Sequence, residues 1–130
     1  MKKKILIFED EWMTIQGSFE LANAFAFNDE LEFEPHSKSQ DVQYSTWVGY
    51  YDAVFIDITL AKNSKMDGFS IVNTIRDKKL IDLSKVVIMT GNSKVKEKLE
   101  EMGLDTRVLT VIYKPVAFDE LASVLNKVLS

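Results

Sequence analysis

The sequence predicts an α/β fold, a parallel five-stranded sheet with helices packed on both of its faces. Three observations predict it. Short, continuous apolar runs recur at Ile5–Phe8, Ala53–Ile56 and Val86–Met89, and strands apolar on both sides belong to sheets covered on both sides. Between them lie stretches whose apolar residues recur at three- and four-residue steps, the period of a helix face. A chain of 130 residues is also long enough for one real core and one domain. Strands alternating with helices then require right-handed crossovers and a parallel sheet.

Each element has its own signal. Ile5-Leu6-Ile7-Phe8 is the first strand, and Trp12, Ile15, Phe19, Ala22 and Ala26 form the stripe of the helix after it. Leu31–Glu34 alternates apolar and acidic residues before Pro35, a weaker second strand. Residues 37–51 resist a reading, because Val42, Trp47 and Val48 suit a core while Gly49 and three tyrosines interrupt a helix. Ala53–Ile56 is the third strand, and a polar loop follows over Thr59–Gly68. Phe69, Val72 and Ile75 line the next helix. Val86–Met89 is the fourth strand, and Val95, Leu99 and Met102 mark a helix with Gly103 just past its end. Val108–Tyr113 is the fifth strand. Phe118, Leu121, Ala122, Leu125 and Val128 define the last helix, with Asp119 and Glu120 near its positive end.

Composition excludes several function classes. Sixteen Lys and Arg against twenty Asp and Glu give a net charge of -4, which argues against neutralising a nucleic-acid backbone. With no cysteine, there is no disulfide, thiolate metal site or thiol nucleophile. His36 is the single histidine, which removes His-rich metal sites; it is expected near a surface turn. No apolar run is long enough to span a bilayer. The lysines at 2–4 precede an apolar stretch that stops at Glu9, too early for a signal peptide. The chain is therefore read as cytoplasmic.

In open parallel sheets the working site lies at the carboxyl ends of the strands. Glu9, Asp10 and Glu11 follow the first strand, Asp57 the third, Thr90, Gly91 and Asn92 the fourth, and Lys114 and Pro115 the fifth. Two carboxylates 4 Å apart repel by roughly 4 kcal/mol at an effective dielectric of about 20, so such a cluster calls for a cation. Oxygen ligands without imidazole or thiolate favour a hard ion, with Mg²⁺ the best fit. An aspartate beside Mg²⁺, a hydroxyl and a lysine is suited to phosphoryl transfer, with Asp57 as nucleophile.

These residues carry a resemblance. ILIFEDE at 5–11, DAVFIDI at 52–58, MDG at 66–68, VVIMTG at 86–91 and YKP at 113–115 occur in the order and spacing of a response-regulator receiver domain of two-component signalling. The chain resembles that family over essentially its whole length. The resemblance implies a flavodoxin-like (βα)5 sandwich with strand order 2-1-3-4-5, in a single domain over 1–130 with no output domain. It implies that Asp57 accepts a phosphoryl group from a histidine kinase or phosphotransfer protein. It implies Mg²⁺ held by Glu9, Asp10, Asp57 and the Thr59 backbone carbonyl, with Glu11 facing solvent. It implies that Thr90 and Lys114 contact the phosphoryl oxygens, that Lys114–Pro115 is cis, and that Gly91 leaves room for the incoming group. The face made by the fourth helix, fifth strand and fifth helix would bind a target protein. The domain would be a monomer or a phosphorylation-dependent dimer.

The sequence also departs from that family. The loop between Asp57 and Met66-Asp67-Gly68 is about three residues longer than usual and lacks its early proline. The usual switch aromatic is replaced by Val111, with Tyr113 expected on the opposite side of its strand. Thr59 and Asn92 occupy positions expected to modulate loss of the phosphoryl group. Two other function classes stay open. One is a degenerate receiver acting as a phosphate-independent interaction module. The other is a Mg²⁺-dependent phosphohydrolase, but Thr59 stands where such enzymes carry a second aspartate.

Overall fold

Successive residues of each strand enter different cores, and this alternation organises the molecule. The computed structural model describes residues 2–42, 47, 49–58, 64 and 66–130. Five strands, β1 (Lys3–Phe8), β2 (Leu31–His36), β3 (Ala53–Asp57), β4 (Val86–Thr90) and β5 (Thr110–Tyr113), form one sheet ordered β2-β1-β3-β4-β5. Every neighbouring pair is parallel, as the sequence predicts. Four α-helices are described: α1 (Trp12–Ala26), α2 (Gly68–Lys78), α3 (Val95–Glu101) and α4 (Phe118–Leu129). The crossover from β2 to β3 holds a 3-10 turn at Ser39–Asp41 and no α-helix among its described residues.

Leu6, Phe8, Val54, Ile56, Val86 and Ile88 point to one side, under α2 and α3. Their alternates Ile5, Ile7, Phe55, Val87 and Met89 point to the other, where α1 and α4 supply Phe19, Ala22, Leu121 and Leu125. Trp47 is wholly enclosed in the first core and stacks on Phe8. Tyr51 is buried beside it while Tyr50 is exposed. Tyr44 lies outside the described residues.

β2 continues through Pro35 to His36, two residues beyond the sequence-based end. It is an edge strand, where the missing proline N–H leaves no ladder bond unmade. His36 is thus a strand residue, half-buried and bonded to Glu34 at 2.9 Å. Asp67 caps α2 by accepting the Ser70 N–H at 2.8 Å. Gly103 adopts φ +78° after α3, the left-handed stop expected of it. Tyr113 departs from expectation. Val111 packs on the α2–α3 side and Ile112 on the α1–α4 side, so alternation carries Tyr113 to Val111's side. No described helix is long and apolar enough to cross a membrane.

Candidate functional site

Strand parity assembles the site. Glu9 follows Ile5 and Ile7 at even spacing, Asp57 follows Ala53 and Phe55, and Lys114 follows Ile112. All three therefore project toward the α1–α4 side at the carboxyl end of the sheet. β1 and β3 pair Phe8 with Ile56, and β4 and β5 pair Thr90 with Tyr113. The Lys114 N–H donates to the Thr90 carbonyl at 2.8 Å, which anchors the start of the turn carrying the lysine. Lys114–Pro115 is cis.

The Lys114 ammonium donates to Glu9 Oε1 at 2.5 Å and lies 3.5 Å from Asp57 Oδ2. Glu9 and Asp57 are almost wholly enclosed, and Asp10 is exposed at the mouth. The second Glu9 oxygen accepts the Glu11 N–H at 3.0 Å. Glu9, Asp10 and Asp57 bring one carboxylate oxygen each to within 4.8 Å of one another. Burial pushes the Glu9 carboxyl up to about 7, with the Asp57 charge adding to it, against the pull of the Lys114 ammonium and the Glu11 amide. Burial would lower the Lys114 ammonium, but the two carboxylates outweigh it and hold its pKa above the ordinary lysine value.

This donor set fits a hard divalent cation. Three carboxylate oxygens converge, one from an exposed residue, and no imidazole or thiolate is among them. Lys114 offsets part of the charge, and a cation would offset more. Glu11 is exposed, and its part in the cluster is the backbone N–H that orients Glu9.

Thr90 ends β4, next to Asp57's strand, with its side chain in phase with Val86 and Ile88 on the other side of the sheet. It is buried, and its hydroxyl oxygen accepts the Asn92 N–H at 2.9 Å. The Asn92 side chain in turn accepts the Lys94 N–H at 2.9 Å. A side chain at Gly91 would meet nothing within 4 Å, so the space beside Thr90 is open. Thr59, expected to supply a carbonyl ligand and to modulate the site, lies outside the described residues.

Gly68 is required by close approach. A Cβ there would stand 2.5 Å from Ile58 Cα and 2.6 Å from the Asp57 carbonyl oxygen. Its own N–H donates to the Ile58 carbonyl at 3.2 Å. The start of α2 thus presses against the strand end that carries Asp57.

Sequence reasoning missed three contributors, all serines. Ser39, fully buried, and Ser64, in the long loop, bind each other and Met66. The only local hint of Ser64 is the loop's extra length. Ser18, on α1, donates to the Val116 carbonyl at 2.7 Å and pins the turn after Lys114.

No protein-family model matches the chain. No curated protein matches it either. Solved structures do. The receiver domain of NtrX from Brucella abortus matches at 20% identity and a TM-score of 0.66, covering 96% of this chain and 97% of that one. The receiver domain of the Francisella response regulator 1452 matches at 18% identity and 0.69, covering 98% and 97%. A two-component response regulator from Clostridium difficile matches at 18% identity and 0.67, covering 98% and 96%. The chain therefore has the fold of response-regulator receiver domains, the α/β architecture with strand order 2-1-3-4-5.

Proposed function

We propose that residues 1–130 form one receiver unit that takes a phosphoryl group on Asp57 and changes a protein-binding surface in response. The observation that carries this reading is the convergence of Asp57, Glu9 and Asp10 beside the Lys114 ammonium. Enclosed carboxylates at such spacing are costly and do nothing for packing. They make sense as a cation site with a nucleophile in it.

Glu9, Asp10 and Asp57, with the Thr59 carbonyl, would hold Mg²⁺, which when bound supplies positive charge to the phosphoryl oxygens. An Asp57 carboxylate oxygen attacks the phosphorus of a phosphohistidine on a histidine kinase or phosphotransfer protein. The P–N bond breaks, and the donor's imidazole nitrogen keeps the electron pair. Lys114 stabilises the product from its position 3.5 Å from Asp57. Thr90 donates its hydroxyl hydrogen to a phosphoryl oxygen, and open space at Gly91 admits the group. Thr59 and Asn92, two residues after Asp57 and Thr90 respectively in the sequence, would modulate loss of the group to water. An open cleft of about 570 Å³ bordered by Glu9, Asp10, Trp12, Met13, Pro35 and Ser37 offers the donor access.

The protein is a phosphoacceptor whose only chemistry is its own phosphorylation and dephosphorylation. The added charge, about -1.5 to -2 in place of one carboxylate charge, favours the conformation in which Thr90 and Lys114 close on it. The change reaches the face of α3, β5 and α4, where a target protein binds. The acidic chain has no need of nucleic acid or membrane.

One observation favours a second reading, a phosphate-independent interaction module. Val111 is the residue at the switch position, and it packs into the α2–α3 core. No aromatic ring is there to change places when Thr90 moves.

Intact-mass spectrometry after mixing the protein with acetyl phosphate and Mg²⁺ tests the proposal. The expected result is a gain of one phosphoryl mass that needs Mg²⁺ and is lost in Asp57→Ala. No adduct, together with no binding of beryllofluoride, would leave the interaction module.

A further inference from the structure

Three hydrogen bonds close a ring between the β2–β3 crossover and the loop that follows Asp57. The Ser39 N–H donates to Ser64 Oγ at 2.8 Å. The Ser64 hydroxyl donates to the Met66 carbonyl at 2.8 Å. The Met66 N–H donates to Ser39 Oγ at 2.9 Å. Ser39 has no exposed surface, so each bond lost there strands a buried polar group rather than handing it to water. Met66 is held further from α2, where the Thr74 hydroxyl reaches its sulfur at 3.5 Å.

The ring sits between two anchors of the candidate cation site. On one side, three residues before Ser39, the His36 carbonyl accepts the Glu9 N–H at 2.9 Å. On the other, two residues after Met66, Gly68 lies against the Asp57 carbonyl and bonds to Ile58. Sheet pairing already fixes Glu9 and Asp57. Of the long loop after Ile58, the described residues Ser64, Met66 and Asp67 lie in no strand. The ring ties Ser64 and Met66 to the crossover, and Gly68, two residues on, carries that tie to the Asp57 carbonyl.

We infer that Ser39 and Ser64 are positioning residues for the cation and phosphoryl site, holding Met66 and, through it, the close approach of Gly68 to the strand end that carries Asp57. They touch neither cation nor phosphoryl group and act through the loop. The inference rests on the reading of the acidic cluster as a Mg²⁺ site.

Mg²⁺ titration followed by Trp12 fluorescence tests it, since Trp12 is two residues from Asp10 and borders the same cleft. Wild type, Ser39→Ala, Ser64→Ala and Ser64→Thr are compared at a temperature where circular dichroism finds each fully folded. The expected result is a Kd for Mg²⁺ raised about three- to tenfold in both alanine variants, the scale of one or two lost hydrogen bonds. Ser64→Thr keeps the hydroxyl and restores the affinity. A merely structural role would lower Tm and leave Kd alone. Unchanged Kd in Ser64→Ala, with wild type binding normally, overturns the inference and leaves the cation site standing. Wild type that binds no Mg²⁺ overturns both.

Discussion

The Lys114 ammonium lies 2.5 Å from a Glu9 oxygen although 105 residues separate the two in the chain. Among the described residues Lys114 is the one cation paired with Glu9, whose side chain is wholly enclosed. Lys114→Met therefore leaves a buried carboxylate facing Asp57 alone. The loss of this charged hydrogen bond is expected to cost about 2 kcal/mol near pH 8, less than for a fully buried pair because Lys114 keeps some solvent contact. The pH dependence has a definite sign. Glu9 is raised in the folded state from 4.5 to about 7, and the substitution raises it further. A group raised on folding contributes most below its unfolded pKa and loses that contribution as pH rises through the folded one. Both proteins lose that contribution alike between pH 4.5 and 7, so the deficit of Lys114→Met grows only as pH rises through about 7, where wild-type Glu9 ionises and the variant's does not. Urea unfolding at pH 5 and pH 8 reads it, and in a Glu9→Gln background the deficit should largely vanish.

Gly68→Ala should destabilise the fold and the site together. The new methyl group would stand 2.5 Å from Ile58 Cα, and the obstacle is backbone rather than a flexible side chain. Either α2 retreats from β3 or the strand end bends. Overpacking of this kind costs about 1–3 kcal/mol, even though alanine is the better helix residue. Urea unfolding measures the loss. A Gly68→Ala variant as stable as wild type would mean that the close approach is not needed.

How much of this could be read beforehand depended on where each residue draws its neighbours from. β1, β3 and β4 are legible because burial on both sides makes them continuous apolar runs. β2 is an edge strand carrying Glu32, Glu34 and Pro35, so its signal is weak and its sequence-based end at Glu34 falls two residues short of His36. Glu9, Asp10, Asp57 and Lys114 are legible because the carboxyl-end rule names a place rather than a pattern. Strand parity, applied to Ile7, Phe55 and Ile112, also yields the side on which Glu9, Asp57 and Lys114 meet. The same parity corrects Tyr113, which is two residues from Val111 and shares its side. Small buried polar residues leave no such trace. Asn23, near the end of α1, accepts the Leu31 N–H at 3.0 Å and donates to the Leu31 carbonyl at 3.1 Å, and only the docking of β2 makes it structural. Ser39 and Ser64 are illegible for the same reason: their partners come from distant segments.

A second polar cluster lies at the β2 edge. The Tyr51 hydroxyl donates to Glu34 Oε2 at 2.5 Å, and the His36 ring lies 2.9 Å from the same oxygen. Partial burial would raise the Glu34 carboxyl, but the Tyr51 hydroxyl and the His36 ring outweigh it and hold its pKa below the ordinary value. A carboxylate lowered on folding contributes stability above its unfolded pKa and loses it as pH falls through the folded one. Tyr51→Phe removes the stronger of the two partners. The Glu34 pKa should then rise, measured by carbon NMR of the carboxyl resonance. A Glu34 titration unchanged in Tyr51→Phe would assign the depression to His36 instead.

The acidic trio predicts a reversal of sign that packing alone cannot produce. Without a cation, Glu9, Asp10 and Asp57 gather carboxylate oxygens within 4.8 Å against, among the described residues, the Lys114 ammonium alone. Asp10→Asn removes one of the repelling charges from the exposed mouth of the site, so Tm in EDTA should rise above wild type. With Mg²⁺ the order should invert. A ligand that binds only the folded state at ten times its Kd adds about 1.4 kcal/mol, and wild type collects this while the variant, short of a charged ligand, collects little. Thermal unfolding of both proteins in EDTA and in a Mg²⁺ series tests the crossing. Curves that keep the same order throughout would mean that the carboxylates do not act as a common cation site. A wild-type gain with no rise for Asp10→Asn in EDTA would mean that Lys114 already neutralises the cluster, leaving the cation to bind without relieving strain.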